Sequence, residues 1–442
     1  MDMLRTHTLE ALMDVLERGK KPKDAVDARA QDLDTRNRGF MMELLYGVVR
    51  RRDLLDHILL SFLDNPGGLP PRTLSNLRAA VYQILYMDVP DWATVDEAVN
   101  IELKQPKLVN AVLRNIIRNR SGVELDIKSL TDEASDQTVP QKKRTRAMAT
   151  LTSHPLWLVK RWVSRLGPAE ALALLNANNE IPPLTLRVNT LASSRSEVIG
   201  MLQELSIPSE ATRLSPVGIK VLGTVPVSEL MSIFKYATIQ DEAAQLVSII
   251  LDPQPGERVL DICAAPGGKT THMAQMMQDR GEVVALDIEE RRLLTLNQNV
   301  RELGLKSITQ VCADALEYTP DKPFDRILVD APCSALGVLR RNPDAKYRHS
   351  VKEIKRLSEI QGRIFDKAAS LLKPGGRIVY ATCSTEPEEG EDVISSFLKR
   401  SGDSYIIERV SSDVIQEDSF MRTWPHRHGT DGFFCAALGK KL

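Results

Sequence analysis

No run of about 18 apolar residues, the least that a membrane helix needs, occurs in the 442-residue chain. The first twenty residues, MDMLRTHTLEALMDVLERGK, carry charge in every turn, so neither a membrane span nor a secretory leader is expected. Cysteine is scarce: there are five, an odd number without a CxxC pair. That argues against a disulfide framework and a structural zinc site, and for a reducing, cytoplasmic setting. None of the seven histidines falls in a ligand pattern, so no metal is expected. Net charge is almost absent, −1 at pH 7, which excludes a globally basic nucleic-acid binder and leaves only local patches. Walker spacing and the GxGxxG fingerprint are missing too, so neither common phosphate cradle is available.

What is present divides the chain. At about 100 to 200 residues per domain, the length implies two to four domains. Residues 1–125 read as helical, with apolar positions at helical spacing in TLEALMDVLERG, FMMELLYGVVRRRDLLDHILLSFL and TLSNLRAAVYQILYMD. Thr94 and Glu97 have capping-box spacing, and Pro106 opens PKLVNAVLRNIIRNR. Over residues 126–147 the period fades into polar SLTDEASDQTVPQKKRTR, which predicts a linker. Residues 148–236, with Ser153 expected as a helix cap, read as a small α+β module. Residues 237–442 alternate strands and helices: RVLDIC, EVVALDI, ITQVCAD, FDRILVD, RIVYATC, YIIERV and FFCAAL are the strand candidates. This predicts a doubly wound, mostly parallel sheet of seven strands. The last strand should be antiparallel, because no convincing helix precedes it.

Two of the five cysteines stand apart. Cys333 in DAPCS and Cys383 in YATCS each follow a short apolar run that suits a buried parallel strand. If both strands end at one edge of one sheet, where open α/β sheets put their ligands, the thiols meet over one substrate. Cys263, Cys312 and Cys435 read as small buried hydrophobes. The loop DICAAPGGKT, with Gly267 and Gly268, follows the first strand and opens a helix, so its backbone can approach a ligand closely. Acids close the next three strands: Asp287, Asp314 and Asp330. Asp287 suits ribose hydroxyls and Asp314 an adenine amino group, which fits S-adenosylmethionine, a nucleoside cofactor without a phosphate. A basic run from Arg340 to Arg356 holds seven Lys/Arg against two acids and reads as a phosphate-contacting rim. Further basic faces are Arg50 to Arg52 and Arg114 to Arg120.

These motifs, DICAAPGGKTTHMAQ, FDRILVDAPCSALGVLRRNPD and LLKPGGRIVYATCSTEPEEGEDVI, resemble the RNA cytosine-5 methyltransferase family. RNRGFMMELLYGVVRRRDLLD and KLVNAVLRNIIR resemble the RNA-binding NusB fold, and the fusion resembles bacterial 16S ribosomal RNA cytosine-5 methyltransferases of the Sun/Fmu type. The resemblance implies an all-α NusB-like domain, an α+β RNA-positioning module and a Rossmann-like methyltransferase domain. It implies Cys383 as nucleophile at carbon 6 of cytosine and Cys333 as the thiol that assists release. Asp330 would face either the base or the cofactor. S-adenosylmethionine would lie against Cys263, Ala264, Ala265, Pro266, Gly267, Gly268 and Lys269, with Asp287, Asp314 and Asp330. RNA would meet Arg187 and Asn189 of an RxNT segment, and Arg340, Arg341 and Lys346. Tyr347 stands where the family usually has Trp. The expected partner is 16S ribosomal RNA and the expected state a monomer. A transfer-RNA methyltransferase and a non-catalytic RNA-binding assembly factor are the alternatives.

Overall fold

The computed structural model describes residues 3–63, 66–223, 225, 227–409 and 420–442. It forms two compact units, Met1–Glu180 with Leu339–Arg348, and Ile181–Val338 with His349–Leu442.

The first unit is helical. Helices Met3–Leu16, Thr35–Arg50, Arg52–Leu60, Pro71–Tyr86 and Pro106–Arg118 turn their apolar stripes inward. Leu12, Leu45, Val48, Leu55, Leu77 and Leu113 make the centre of their core. Each such side chain contributes about 1.5–3 kcal/mol by leaving water. Pro106 does open its helix. Thr94 caps nothing: the helix already starts at Asp91, and Thr94 is buried inside it. Ser153 ends the helix Gln141–Thr152 in a left-handed conformation instead of starting the next one, and its Oγ accepts the Leu54 amide at 3.0 Å.

The expected linker at residues 126–147 is mostly helical, within Arg120–Ser135 and Gln141–Thr152. Its polar composition hides this, because only Val123 and Ala134 of the first helix are buried. Polar contacts do the rest: His57 Nε2 lies 2.8 Å from Asp126 Oδ2, and Lys143 pairs with Glu133 at 2.7 Å.

The second unit holds two sheets. The smaller is antiparallel, in the order β2-β3-β1-β4, from β1 (Leu184–Val188), β2 (Ser209–Ala211), β3 (Gly218–Val221) and β4 (Ala237–Ile239). Helix Arg195–Glu204, started by a Ser194/Glu197 capping box, packs Val198 and Leu202 into its core.

The larger sheet contains β5 (Arg258–Ile262), β6 (Glu282–Asp287), β7 (Ile308–Cys312), β8 (Phe324–Asp330), β9 (Leu372–Thr382), β10 (Tyr405–Glu408), β11 (Met421–Arg422) and β12 (Phe434–Lys440). Seven run in the order β10-β12-β9-β8-β5-β6-β7, and the two-residue β11 pairs with β12. The pairs among β5 to β9 are parallel, while β12 is antiparallel to both β9 and β10, as expected. Val410, the end of the YIIERV run, lies outside the described residues. Pro374-Gly375-Gly376 follows the end of helix Val351–Ser370 and lies within β9, beside a register shift at Phe324/Arg326. Apolar layers cover both faces of this sheet, as buried parallel strands require.

Candidate active site

Parallel pairing sets Asp330 of β8 opposite Ala381 of β9, so the chain leaves both strands at one edge. Cys333 lies three residues beyond the first and Cys383 two beyond the second. Their sulfurs are 3.2 Å apart, and both residues are half-buried. The loops also meet through backbone: Gly337 N–H donates to Cys383 O at 2.9 Å, and Gly432 N–H to Gly337 O at 2.8 Å. A Cβ on Gly337 would stand 2.0 Å from Gly432 O and 2.9 Å from Cys383 O, so only glycine allows this approach. The hydrogen bond to Cys383, followed by burial, pushes the Cys333 thiol well above its ordinary range.

Lys269 donates to Asp330 Oδ2 at 2.7 Å and lies 5.2 Å from the centre of the Phe433 ring. Burial lowers the Lys269 pKa, but Asp330 outweighs it and the net shift is upward. The lysine is a fixed cation beside the thiols. Under it, at the end of β5, burial pushes the Asp261 carboxyl up to about 7; Thr270 donates to one of its oxygens at 2.6 Å.

The loop from Cys263 to Lys269 folds tightly between β5 and helix Gly268–Met276. Gly267 has φ +98°, and a Cβ there would stand 2.7 Å from the Leu296 side chain. Cys263 is itself left-handed at φ 63°, a conformation that costs a non-glycine residue about 1 kcal/mol or more. Its thiol is no nucleophile, because burial pushes it up to about 12. Ala264 and Ala265 are buried, and Pro266 is exposed. Asp287 is buried, accepting Ala265 N–H at 3.1 Å and Glu289 N–H at 3.0 Å, with Arg292 at 3.4 Å. It shapes the loop. Asp314 is exposed two residues past β7, and the exposed Ile288 offers an apolar face next to Asp287. S-adenosylmethionine fits this set: carboxylates for a cationic nucleoside, an apolar platform for a flat ring, and a tight backbone turn that requires glycine at 267.

The residues expected to contact RNA need correction. Arg187 is only 1% exposed; it donates to Gln240 Oε1 at 2.5 Å, to Thr271 Oγ1 at 3.0 Å and to Gly268 O. Burial lowers its pKa to about 9. It ties β1 to the start of the cofactor-loop helix. Asn189 is buried as well, donating to Lys235 O at 3.0 Å. Arg340 and Lys346 are buried in the helical unit, where Lys346 Nζ donates to Arg50 O at 2.9 Å and Arg50 to Arg340 O at 3.2 Å. Tyr347 donates to Ser153 O at 2.7 Å beneath the Arg52 guanidinium, 3.5 Å from the ring centre. Arg341 is half-buried, whereas Arg114 and Arg118 are exposed. Of the seven cations from Arg340 to Arg356, Arg340 and Lys346 are thus internal braces and Arg341 is half-buried, whereas Arg348, Lys352, Lys355 and Arg356 are exposed.

Arg187→Ala is expected to cost about 2–4 kcal/mol, from the cavity and the acceptors left unpaired. Urea denaturation measures that loss. The salt dependence of RNA binding should not change; a slope smaller by about one would restore a phosphate contact.

Sequence reasoning missed a hub behind the thiols. Glu389, Gln361, Ser334 and Ser384 are all buried and bonded together. The serine after each cysteine and the acids in EPEEGE were its only signals.

Family models match three stretches: 16S rRNA methyltransferase RsmB/F over residues 248–439, the NusB family over 3–118, and the ferredoxin-like domain of RsmF/B-like methyltransferases over 154–228. The chain is 35% identical over 429 residues to the probable ribosomal RNA small subunit methyltransferase B of Bacillus subtilis (strain 168), covering 93% of each chain. It is 33% identical over 447 residues to ribosomal RNA small subunit methyltransferase B of Salmonella paratyphi B, covering 99% of each. The crystal structure of PH0851 superposes with a TM-score of 0.78 at 27% identity, over 98% of this chain and 99% of that one. NSun6 from Pyrococcus horikoshii, solved with SFG, shares the fold at 24% identity, with a TM-score of 0.58 over 64% of this chain and 97% of that one. Helical NusB-like segment, antiparallel module and thiol-bearing parallel sheet are matched over almost the full length, and the chain belongs to the 16S ribosomal RNA methyltransferase RsmB/F family.

Proposed function

We propose that this protein methylates carbon 5 of a cytosine in 16S ribosomal RNA through a transient bond between Cys383 Sγ and carbon 6. The observation that carries the reading is the 3.2 Å separation of the Cys333 and Cys383 sulfurs at one sheet edge, next to the Lys269–Asp330 pair. Carbon 5 of cytosine is too electron-poor to take a methyl group unaided. Cys383 adds as the thiolate, stabilised by the Cys333 S–H and the nearby Lys269 ammonium. The sulfur–carbon 6 bond forms, the pair from the ring double bond moves to carbon 5, and ring N3 takes up a proton. Asp330 accepts from that N3–H or from the exocyclic amine. S-adenosylmethionine, when bound, supplies a methyl group on an electron-poor sulfur.

Release uses the second thiol. Once Cys383 is bonded to carbon, its hydrogen bond, the largest of the influences that raise the Cys333 pKa, is gone, while burial remains. Cys333 can then give its proton to solvent and take the one on carbon 5. The electron pair returns to the ring, the sulfur–carbon bond breaks, N3 loses its proton, and Cys383 leaves as thiolate. One proton is released per methyl group transferred. The target must be unpaired or extruded, because carbon 6 of a stacked base is out of reach.

Bisulfite sequencing of RNA from cells with and without the gene tests this. One 5-methylcytosine in 16S ribosomal RNA should disappear. Loss confined to transfer RNA, or no loss, would refute the assignment.

A further inference from the structure

Each reactive cysteine is followed by a buried serine, and both serines reach the same buried carboxylate. Ser334 N–H donates to Glu389 Oε1 at 2.8 Å, and Gln361 Nε2 to the same oxygen at 3.1 Å. Ser384 Oγ donates to Oε2 at 2.6 Å, joined there by Ser334 Oγ. Four donors fill the roughly four acceptor positions of a carboxylate. The backbone of Glu389 takes part as well: its carbonyl accepts Tyr380 Oη at 2.8 Å and Thr382 Oγ1 at 3.2 Å. Gln361 Nε2 also donates to Pro332 O at 2.9 Å. Cys333 is therefore gripped on both sides, at Pro332 and at Ser334. Cys383 is gripped in the same way, at Thr382 and at Ser384.

Simple stability is a poor reason for this arrangement. Burying a carboxylate is costly, and none of its four donors carries a charge; an apolar filler would avoid the cost. What a carboxylate offers that a hydrocarbon does not is a set of short, directional, charge-assisted bonds at fixed angles. Those bonds run to both cysteine loops at once.

We propose that Glu389 is a positioning residue that fixes Cys333 and Cys383 relative to each other through the paired serines Ser334 and Ser384. The consequence for catalysis rests on the two-thiol reading above; the geometric claim does not. Glutamine at this position can still accept from Ser334 N–H and Gln361 through its oxygen, while its amide donates to the two serine hydroxyls. Alanine can do neither.

The test uses the purified full-length protein and the oxidant diamide, which takes two protons and two electrons from a thiol pair and leaves a disulfide. In the wild type the sulfurs need only close from 3.2 Å to a bond of about 2.05 Å. Glu389→Ala should slow Cys333–Cys383 cross-linking about tenfold and single-turnover methylation about 100-fold, with KM for RNA and S-adenosylmethionine unchanged. Glu389→Gln should restore most of both rates. If the alanine variant does not fold, Ser384→Ala removes one tether alone and should slow cross-linking about threefold. Cross-linking at the wild-type rate in Glu389→Ala, or in Ser384→Ala where the former does not fold, overturns the proposal. An error in the nucleophile assignment shows itself elsewhere, as methylation by Cys383→Ala, and leaves the cross-linking result standing.

Discussion

Cys383→Ala is expected to lower methyl transfer to 16S ribosomal RNA by about 10⁴-fold or more, because no other group can make carbon 5 electron-rich. S-adenosylmethionine should still bind within about twofold of wild type, since the loop from Cys263 to Lys269 is held by its own contacts with Asp287, Leu286 and Leu296. Removing one sulfur from a half-buried site costs about 1 kcal/mol, too little to unfold the domain. Methyl incorporation from labelled cofactor, measured beside calorimetric cofactor binding, separates the two effects. Turnover within about tenfold of wild type would take the nucleophile's role away from Cys383.

Cys333→Ala should fail at the opposite end of the cycle. Its first turnover proceeds, because Cys383 and the Lys269 ammonium remain. The methylated base then stays attached, since the proton on carbon 5 has lost its acceptor. A protein–RNA adduct should survive a denaturing gel, and steady-state turnover should fall about 100-fold while the first methyl transfer slows far less. Free product at the wild-type rate would mean that Cys333 does not serve release. The two variants are informative together, because one stops bond formation and the other bond cleavage.

The catalytic sheet was readable in the sequence because buried parallel strands leave apolar runs, and because acids and cysteines at their ends fall on one edge whenever the strands are parallel. RVLDIC, FDRILVD and RIVYATC each became a neighbouring strand. Charge was read less well. The run from Arg340 to Arg356 reads as a phosphate-contacting rim, yet within it the Lys346 ammonium is satisfied by the Arg50 carbonyl, 296 positions away. No local pattern encodes such a partner. Glu389 escaped for the same reason: its donors lie 5, 28 and 55 positions away, and only the folded sheet brings them together. The helix Arg120–Ser135 was missed because ion pairs and tertiary packing hold it, not an apolar stripe.

Leu339–Arg348 belongs to the helical unit although the strands before and after it, β8 and β9, belong to the other. The polypeptide therefore passes between the units three times, and no single cut yields two intact pieces. A fragment starting at Ile181 would carry ten orphaned residues, with Lys346 and Tyr347 stripped of the carbonyls of Arg50 and Ser153 that hold them. The amino-terminal helices are not a detachable accessory in this chain, since the stretch that follows the DAPCS loop belongs to their compact unit.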